Sequence, residues 1–189
     1  MLILVNRKPV DGPWGGGNLF VRAICDRAQS RGHQIVHDLA STPDAVIMVD
    51  PRYDNLGISV KEISQLKLAS PSMKVLHRVN ECDARKNTKD VDQLLYHSSQ
   101  VSDVTVFVSD WMRDYHLTKQ WAAPQTTVIY NGVNKDHFRP RIDSNTDSRK
   151  IAIVAHHWSS NEMKGFDFYE AIDRFVAEND GYTFTYIGR

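Results

Sequence analysis

The sequence predicts an α/β protein with a doubly wound parallel sheet, followed by a second and smaller α/β unit. Short apolar runs bounded by turn residues alternate with stretches of helical periodicity, which is the pattern of parallel strands joined by crossover helices. Hydrophobic residues make up 41% and aromatic residues 10% of the 189 residues, which is enough to fill a core. A polar, turn-rich stretch at 139–149 is predicted to be a linker between the two units.

The first domain, residues 1–138, is predicted to contain six strands that alternate with helices. Strand Leu2–Val5 leads into a loop over Asp11–Gly17, and a helix begins at Asn18. The later strands are Ile35–His37, Ala45–Val49, Lys74–Val79, Val104–Val108 and Thr127–Tyr130. The later helices are Val60–Ala69, Thr88–Ser99 and Asp110–Gln120.

The second unit, residues 150–189, is predicted to hold strand Lys150–Ala155, helix Gly165–Ala177 and strand Thr183–Ile187. A parallel sheet needs cover on both faces, which a single strand, helix and strand of about 40 residues cannot supply. We therefore expect this unit to be incomplete. A second copy of the chain or another partner is expected to cover its apolar surface.

Charge and cysteine usage exclude several classes of function. The chain has 23 basic and 23 acidic residues, and this zero net charge disfavours a nucleic-acid partner. Cys25 and Cys82 are far apart and form no CxxC pair, so neither a disulfide framework nor a zinc site is predicted. The apolar start of the chain is cut by Arg7 and is too short for a signal or transmembrane segment, so a cytoplasmic protein is expected.

The glycine triplet Gly15, Gly16 and Gly17 lies between the first strand and the first helix. Backbone amides and a helix N-terminus at that place can receive an anion, and missing side chains allow close approach. The spacing matches neither GxGxxG nor a Walker loop, which disfavours a nicotinamide-dependent oxidoreductase. A glycine turn needed only for backbone geometry is the alternative.

A second cluster, His77–Lys86, follows an apolar strand and carries imidazole, guanidinium, amide and carboxylate groups. Open α/β sheets bind ligands at this edge. Alternation along the strand sends His77 and Glu81 to one face and Arg78 and Asn80 to the other, unless the strand has already ended. A solvated charge cluster at the start of a loop is the alternative.

Three further positions have both a chemical and a structural interpretation. Asp90 and Asp92 match a carboxylate pair that can hold a divalent cation, but acidic residues in the first turn of a helix explain them better. Ser109 is predicted to be a helix N-cap rather than a nucleophile. Asn131 lies in a tight turn after a strand.

In the second unit, the segment His156–Gly165 is expected to hold the position that the glycine loop holds in the first. Its adjacent histidines point in different directions and are poor joint metal ligands. Lys164, close to a helix N-terminus, would suit a phosphate. An exposed lysine without a ligand is the alternative.

These segments, in this order, resemble the retaining GT-B fold glycosyltransferases of family 4 over nearly the whole chain. The segments that carry the resemblance are Gly15–Asn18, His77–Asp83, Val106–Trp111, Val128–Asn134 with Phe138 and Pro140, and Lys164–Asp167. The family implies two Rossmann-like domains that face each other across a cleft. It implies transfer of a sugar from a nucleotide-sugar to a glycan, lipid or protein acceptor, with retention at the anomeric carbon.

The resemblance also implies roles for individual residues. The candidate catalytic residues are His77, Arg78 and Glu81. The candidate donor-binding or acceptor-binding residues are Gly15, Gly16, Gly17, Asn18, Asn80, Asp83, Asn131 and Lys164. Stabilisation of the departing diphosphate by such groups replaces a metal, so neither a metal nor another cofactor is expected.

Two departures from the family pattern bear on activity. The family usually has an arginine shortly before the lysine that Lys164 resembles, whereas this chain has Ser159, Ser160, Asn161 and Glu162 there. The chain also ends before the paired-glutamate motif and the nucleoside pocket of the family, so we expect an incomplete donor site. The alternative is a non-catalytic module that binds a carbohydrate or a partner.

Overall fold

Six parallel strands form the sheet of the first unit, Met1–Asn131. The computed structural model describes residues 1–12, 15–54, 56–140, 150–157 and 161–188. The strands are β1 (Leu2–Val5), β2 (Gln34–Val36), β3 (Ala45–Met48), β4 (Lys74–Val79), β5 (Val104–Phe107) and β6 (Gln125–Val128). Their order in the sheet is β2-β1-β3-β4-β5-β6. The predicted parallel α/β sheet is therefore confirmed.

Helices cover both faces of this sheet. They are α1 (Gly16–Ser30), α2 (Val60–Ala69), α3 (Asp83–Lys86), α4 (Val91–Val101) and α5 (Asp110–Leu117). Because side chains alternate along a strand, β1 contributes to two cores. Val5 packs with Val21 of α1 on one face, whereas Leu4 packs with Ile63 of α2 on the other. A third cluster joins β4 and β5 to α4 and α5 on the α2 face.

The order of the strands reverses at β1, which pairs with both β2 and β3. In open α/β sheets, ligands bind outside the carboxyl ends of the strands near such a point. All the strands are parallel, so the segments after β1, β4 and β6 emerge at one edge of the sheet. This shared edge was expected for the glycine loop, the segment after His77 and the turn at Asn131.

In the first unit, two helices begin at different residues from those predicted. Helix α1 starts at Gly16 rather than at Asn18, so two of the glycines belong to its first turn. Helix α4 starts at Val91, three residues later than predicted, because Asn87 and Asp90 adopt positive φ angles of 50° and 71°. The Asp83 carboxylate caps α4 instead, since it accepts hydrogen bonds from the amides of Val91 and Asp92 at 3.2 and 3.0 Å.

The second unit, Gly132–Arg189, contains the parallel strands β7 (Ile151–His157) and β8 (Tyr182–Gly188) and helix α6 (Phe166–Ala177). His156 and His157 belong to β7, so the predicted loop position of these two residues is wrong. The rings of His157, Phe166, Tyr169 and Tyr186 pack together between the strands and α6.

No side chain in the described part of the second unit is buried. Residues 141–149 of the predicted linker, together with Ser159, Ser160 and Arg189, lie outside the described residues. The linker boundaries therefore stay a prediction. In the part of the chain that the structure describes, no helix is both long and apolar enough to cross a membrane.

Candidate functional site at the carboxyl edge of the sheet

Arg78, the fifth residue of β4, joins three parts of the carboxyl edge. Its guanidinium lies 4.0 Å from the centre of the Phe20 ring, which belongs to α1. Its Nη2 donates a hydrogen bond of 3.0 Å to Oδ1 of Asn131, in the turn after β6. Arg78 thus connects the glycine-rich helix to the turn, and the predicted meeting of these segments is confirmed.

The charge of Arg78 is buried without a matching anion. The residue is only 6% exposed, and burial lowers the pKa of its guanidinium without any carboxylate to oppose the shift. Among the described residues no carboxylate lies within ion-pair distance of Arg78. By contrast, Arg7 and Arg52 pair with carboxylates, and the pKa values of both are raised. An uncompensated buried cation costs several kcal/mol, and an anion bound here would supply the missing charge.

The N-terminus of α1 is open on the same side of the sheet. Gly15 is its N-cap and has no side chain with which to cap the helix, and its first turn has no acidic residue. A Cβ atom placed on Gly15, Gly16 or Gly17 would meet nothing within 4 Å, and none of the three has a positive φ. Neither the backbone nor the packing therefore requires glycine here. An uncapped helix N-terminus without side chains suits the close approach of an anion.

Asn18 holds the loop before α1 in place. Its side-chain Oδ1 accepts a hydrogen bond from the Val10 amide, and its Nδ2 donates to the Val10 carbonyl, both at 2.8 Å. The amide group of Asn18 is therefore occupied by the backbone. This residue fixes the path of the loop, and contact with a ligand through its side chain would break these two bonds.

His77 lies on the opposite face of the sheet from Arg78. It is fully buried, and its ring stacks on Trp121 at 6.3 Å. Neither ring nitrogen has a hydrogen-bond partner within the described ranges. Burial lowers the pKa of His77 from 6.5 to about 3, with a smaller contribution from the charge of His116. The imidazole is therefore neutral and inaccessible to a ligand, unlike the predicted catalytic position at the edge.

Glu81 lies at the edge but its carboxylate is already paired. Arg52 donates to its Oε1 and Lys86 to its Oε2, and Arg52 also contacts Asp50 at 2.9 Å. Glu81 is buried among these groups. The ion pairs of this carboxylate with Arg52 and Lys86 fix the segments after β3 and β4 against each other. Glu81 is thus not the free carboxylate that the predicted catalytic role requires.

The predicted contact residue Asp83 and the later Asp92 have structural partners. The Asp83 carboxylate caps α4, as described above, and the Asp92 carboxylate accepts hydrogen bonds from Lys119 and from the Tyr115 hydroxyl, the latter at 2.6 Å. The described residues contain no group of side chains suited to a metal ion. Asp92 lies in the first turn of α4, as the helix N-terminal interpretation predicted, whereas Asp90 is the residue just before the helix and its side chain makes no capping bond.

The remaining predicted residues are exposed or half-buried. Asn80 is half-buried directly after β4, and its carbonyl accepts a long hydrogen bond of 3.5 Å from Arg85. Lys164 is exposed in a 3-10 turn just before α6, in the second unit. Phe20 and Arg52 were not predicted. Phe20 has the apolar periodicity of a core residue, and no local pattern indicates that an arginine 58 positions later would lie on its ring.

No protein-family model matches this sequence, and no curated protein matches it. Solved structures are similar in fold. HepE from Anabaena in complex with UDP and glucose has a TM-score of 0.53 at 8% identity, over 98% of this chain and 69% of that chain. HepE in complex with UDP alone has a TM-score of 0.54 at 9% identity, over 100% of this chain and 69% of that chain.

Sucrose-phosphate synthase from Thermosynechococcus elongatus has a TM-score of 0.53 at 12% identity, over 97% of this chain and 69% of that chain. At such low identity, these likenesses establish the fold and nothing finer. The first unit of this chain is a Rossmann-like domain of the GT-B type.

Proposed function

We propose that this chain belongs to a glycosyltransferase that moves a hexose from a nucleotide-sugar to an acceptor, with retention at the anomeric carbon. The observation that carries this proposal is Arg78, a buried cation without a carboxylate partner beside the open N-terminus of α1. A nucleotide-sugar carries a diphosphate, which is the kind of anion that an arginine and backbone amides bind. The fold likeness to HepE with UDP and glucose supports the same ligand class.

In this reaction the bond between the anomeric carbon and the diphosphate oxygen breaks, and the acceptor oxygen bonds to the same face of the sugar. Negative charge builds up on the departing diphosphate oxygen as its bond breaks, and this oxygen then takes the proton that the acceptor hydroxyl loses. Arg78 would stabilise that charge because it is buried, and charge interactions are stronger away from water. Asn131 acts as a positioning residue, since its hydrogen bond holds the guanidinium.

Backbone amides would also act on the diphosphate. The amides in the first turn of α1 can donate hydrogen bonds to phosphate oxygens, and Gly16 and Gly17 leave space for them. Lys164, exposed just before α6 in the second unit, would by itself suit a phosphate. His77 and Glu81 have no part in this proposal, because the first is buried and the second is paired. No step requires a metal ion.

A second candidate function is a non-catalytic module that binds a carbohydrate or a protein partner. The observation that favours it is the second unit, in whose described part no side chain is buried. Such a unit has little apolar packing with which to hold a nucleoside firmly. Binding of a nucleotide-sugar without turnover would be the signature of this alternative.

The test is to incubate the chain with UDP-glucose, GDP-mannose or ADP-glucose and to measure both binding and release of the nucleoside diphosphate. The Arg78→Met variant should lose binding, whereas Arg27→Met, an exposed position near the end of α1, should not. Turnover that depends on Arg78 supports the transferase. Binding without turnover supports the non-catalytic module, and absence of any binding refutes both the donor and the anion site.

A further inference from the structure

A second surface at the carboxyl edge carries an exposed aromatic ring. Trp111, the second residue of α5, is 52% exposed, whereas the neighbouring Met112 is fully buried. The largest apolar side chain of this helix therefore lies outside the core. A single exposed apolar residue is common in proteins. The surroundings of this ring, however, resemble those of a ligand-binding surface.

Contact with Tyr115 on one side fixes the orientation of the Trp111 ring. Its ring stacks on that of Tyr115 with a centroid distance of 5.3 Å and an interplanar angle of 20°. Tyr115 is itself held, because its hydroxyl donates to Asp92 at 2.6 Å and Lys119 lies 4.1 Å from its ring centre. Trp111 thus presents a flat, pre-oriented apolar surface, which binds a ligand at a lower entropic cost than a mobile side chain does.

The residue before Trp111 on α5 carries a polar group suited to hydroxyl ligands. Asp110, the preceding residue, is half-exposed and is held by Arg113 at 2.9 Å and by the hydroxyl of Tyr130. A carboxylate has about four acceptor positions, so Asp110 can accept further hydrogen bonds while it keeps these two. Its orientation is set before any ligand binds.

This surface is continuous with the proposed donor site. Tyr130, which donates to Asp110, is followed directly by Asn131, which accepts from Arg78. Two hydrogen bonds, between Tyr130 and Asp110 and between Arg78 and Asn131, together with chain neighbours, therefore connect the segment of Trp111 to Arg78 along the ends of β4, β5 and β6. A transferase needs its acceptor beside the group that leaves the donor.

We infer that Trp111, Asp110 and Tyr130 form a subsite for the pyranose ring of a saccharide acceptor. The apolar C–H face of a sugar ring would lie on the indole, and its ring hydroxyls would donate to Asp110. An aliphatic lipid chain would offer no hydrogen-bond donor to the Asp110 carboxylate. A surface that binds a protein through the exposed aromatic ring alone would not need this carboxylate. This inference rests on the proposed function and selects a saccharide among the possible acceptors.

The experiment labels the chain with 5-fluorotryptophan and follows its four tryptophans by fluorine NMR. Trp111→Phe assigns the resonance. The probes are the methyl glycosides of glucose, galactose, mannose and N-acetylglucosamine in both anomeric forms, each to about 50 mM, the range of weak single-ring binding. Hexanol serves as the apolar comparison. No nucleotide is present, so absence of glycoside binding would not contradict the proposed donor site. Absence of nucleotide-sugar binding would likewise not contradict the proposed acceptor subsite.

We expect a saturable shift of the Trp111 resonance with at least one glycoside and none with hexanol. Asp110→Asn, which keeps the indole, should weaken that binding about tenfold, the effect of losing a hydrogen bond to a charged group. Leu117→Ala, an exposed position at the other end of α5, should leave it unchanged. The inference is overturned if no glycoside gives a saturable shift, if hexanol gives the same shift, or if Asp110→Asn has no effect.

Discussion

Replacing Arg78 by methionine should separate a ligand-binding arginine from a structural one. Methionine keeps an unbranched stem that can still pack on Phe20, and it removes only the guanidinium. In a structural ion pair, loss of the cation leaves a buried carboxylate unpaired and destabilises the fold by about 3–5 kcal/mol. Arg78 has no such carboxylate, so the two roles predict opposite changes in the melting temperature.

The interactions of Arg78 allow the free energy of unfolding to be estimated. The variant loses one charged hydrogen bond, to Asn131, worth about 1.5 kcal/mol, and one cation–π contact with Phe20, worth about 1 kcal/mol. It also removes the desolvation penalty of a buried cation, which is several kcal/mol. We therefore expect the stability to stay constant or to rise by about 1 kcal/mol. For a chain of this size that rise is about 3 °C in melting temperature.

Ligand binding should change in the other direction. A charged hydrogen bond to phosphate contributes about 1.5–3 kcal/mol, so Arg78→Met should bind UDP roughly 10-fold to 150-fold more weakly. Thermal melting and calorimetric titration with UDP measure the two effects. Arg7→Met is the structural comparison, because Arg7 pairs with Asp50 and Asp54, and it should lower the melting temperature. A similar loss of stability in Arg78→Met, with UDP affinity unchanged, would refute the reasoning.

Three further predictions concern the elements around the site. Gly16→Ala should stabilise α1 by about 0.5–1 kcal/mol in thermal melting, since alanine is the better helix former, and it should weaken UDP binding by blocking the approach to the amides. His77→Phe should flatten the pH dependence of stability. The folded pKa of His77 is about 3, so stability in the native chain falls as the pH drops below about 6.5, by roughly 1.4 kcal/mol per pH unit. Ser109→Ala should cost about 1 kcal/mol in urea unfolding, because the Ser109 hydroxyl accepts from the Met112 amide at 3.1 Å and caps α5.

Each of these predictions has an outcome that contradicts it. Ser30→Ala, an exposed serine near the end of α1, should leave stability within about 0.5 kcal/mol, and an equal loss at Ser109 and Ser30 would exclude a capping effect. Equal pH profiles for His77→Phe and the native chain would mean that another group governs acid unfolding. Unchanged UDP binding in Gly16→Ala would remove the first turn of α1 from the site.

The sheet could be predicted from the sequence because its signal is local. Each strand is a short apolar run between turn residues, and the strands of both units lie within two residues of the predicted positions at either end. The start of α4 could not be predicted as well. Its cap, Asp83, belongs to the preceding short helix and reaches Val91 across eight positions, so no first-turn pattern reveals it. The sequence pattern likewise does not reveal the two positive φ angles, at Asn87 and Asp90, that delay the start of the helix.

The site was harder to predict because its chemistry depends on pairing between distant residues. The sequence pattern indicates charged groups after β4 but not which of them already have partners. Glu81 pairs with Arg52, 29 positions earlier, and with Lys86, whereas the partners of Arg78 among the described residues are a ring and an amide. A buried ion with a partner holds a fold together, and a buried ion without one costs energy that folding alone does not recover. No carboxylate in the described part of the chain lies beside Arg78, and for this reason the proposed site is built on Arg78 rather than on His77 or Glu81 of the same motif.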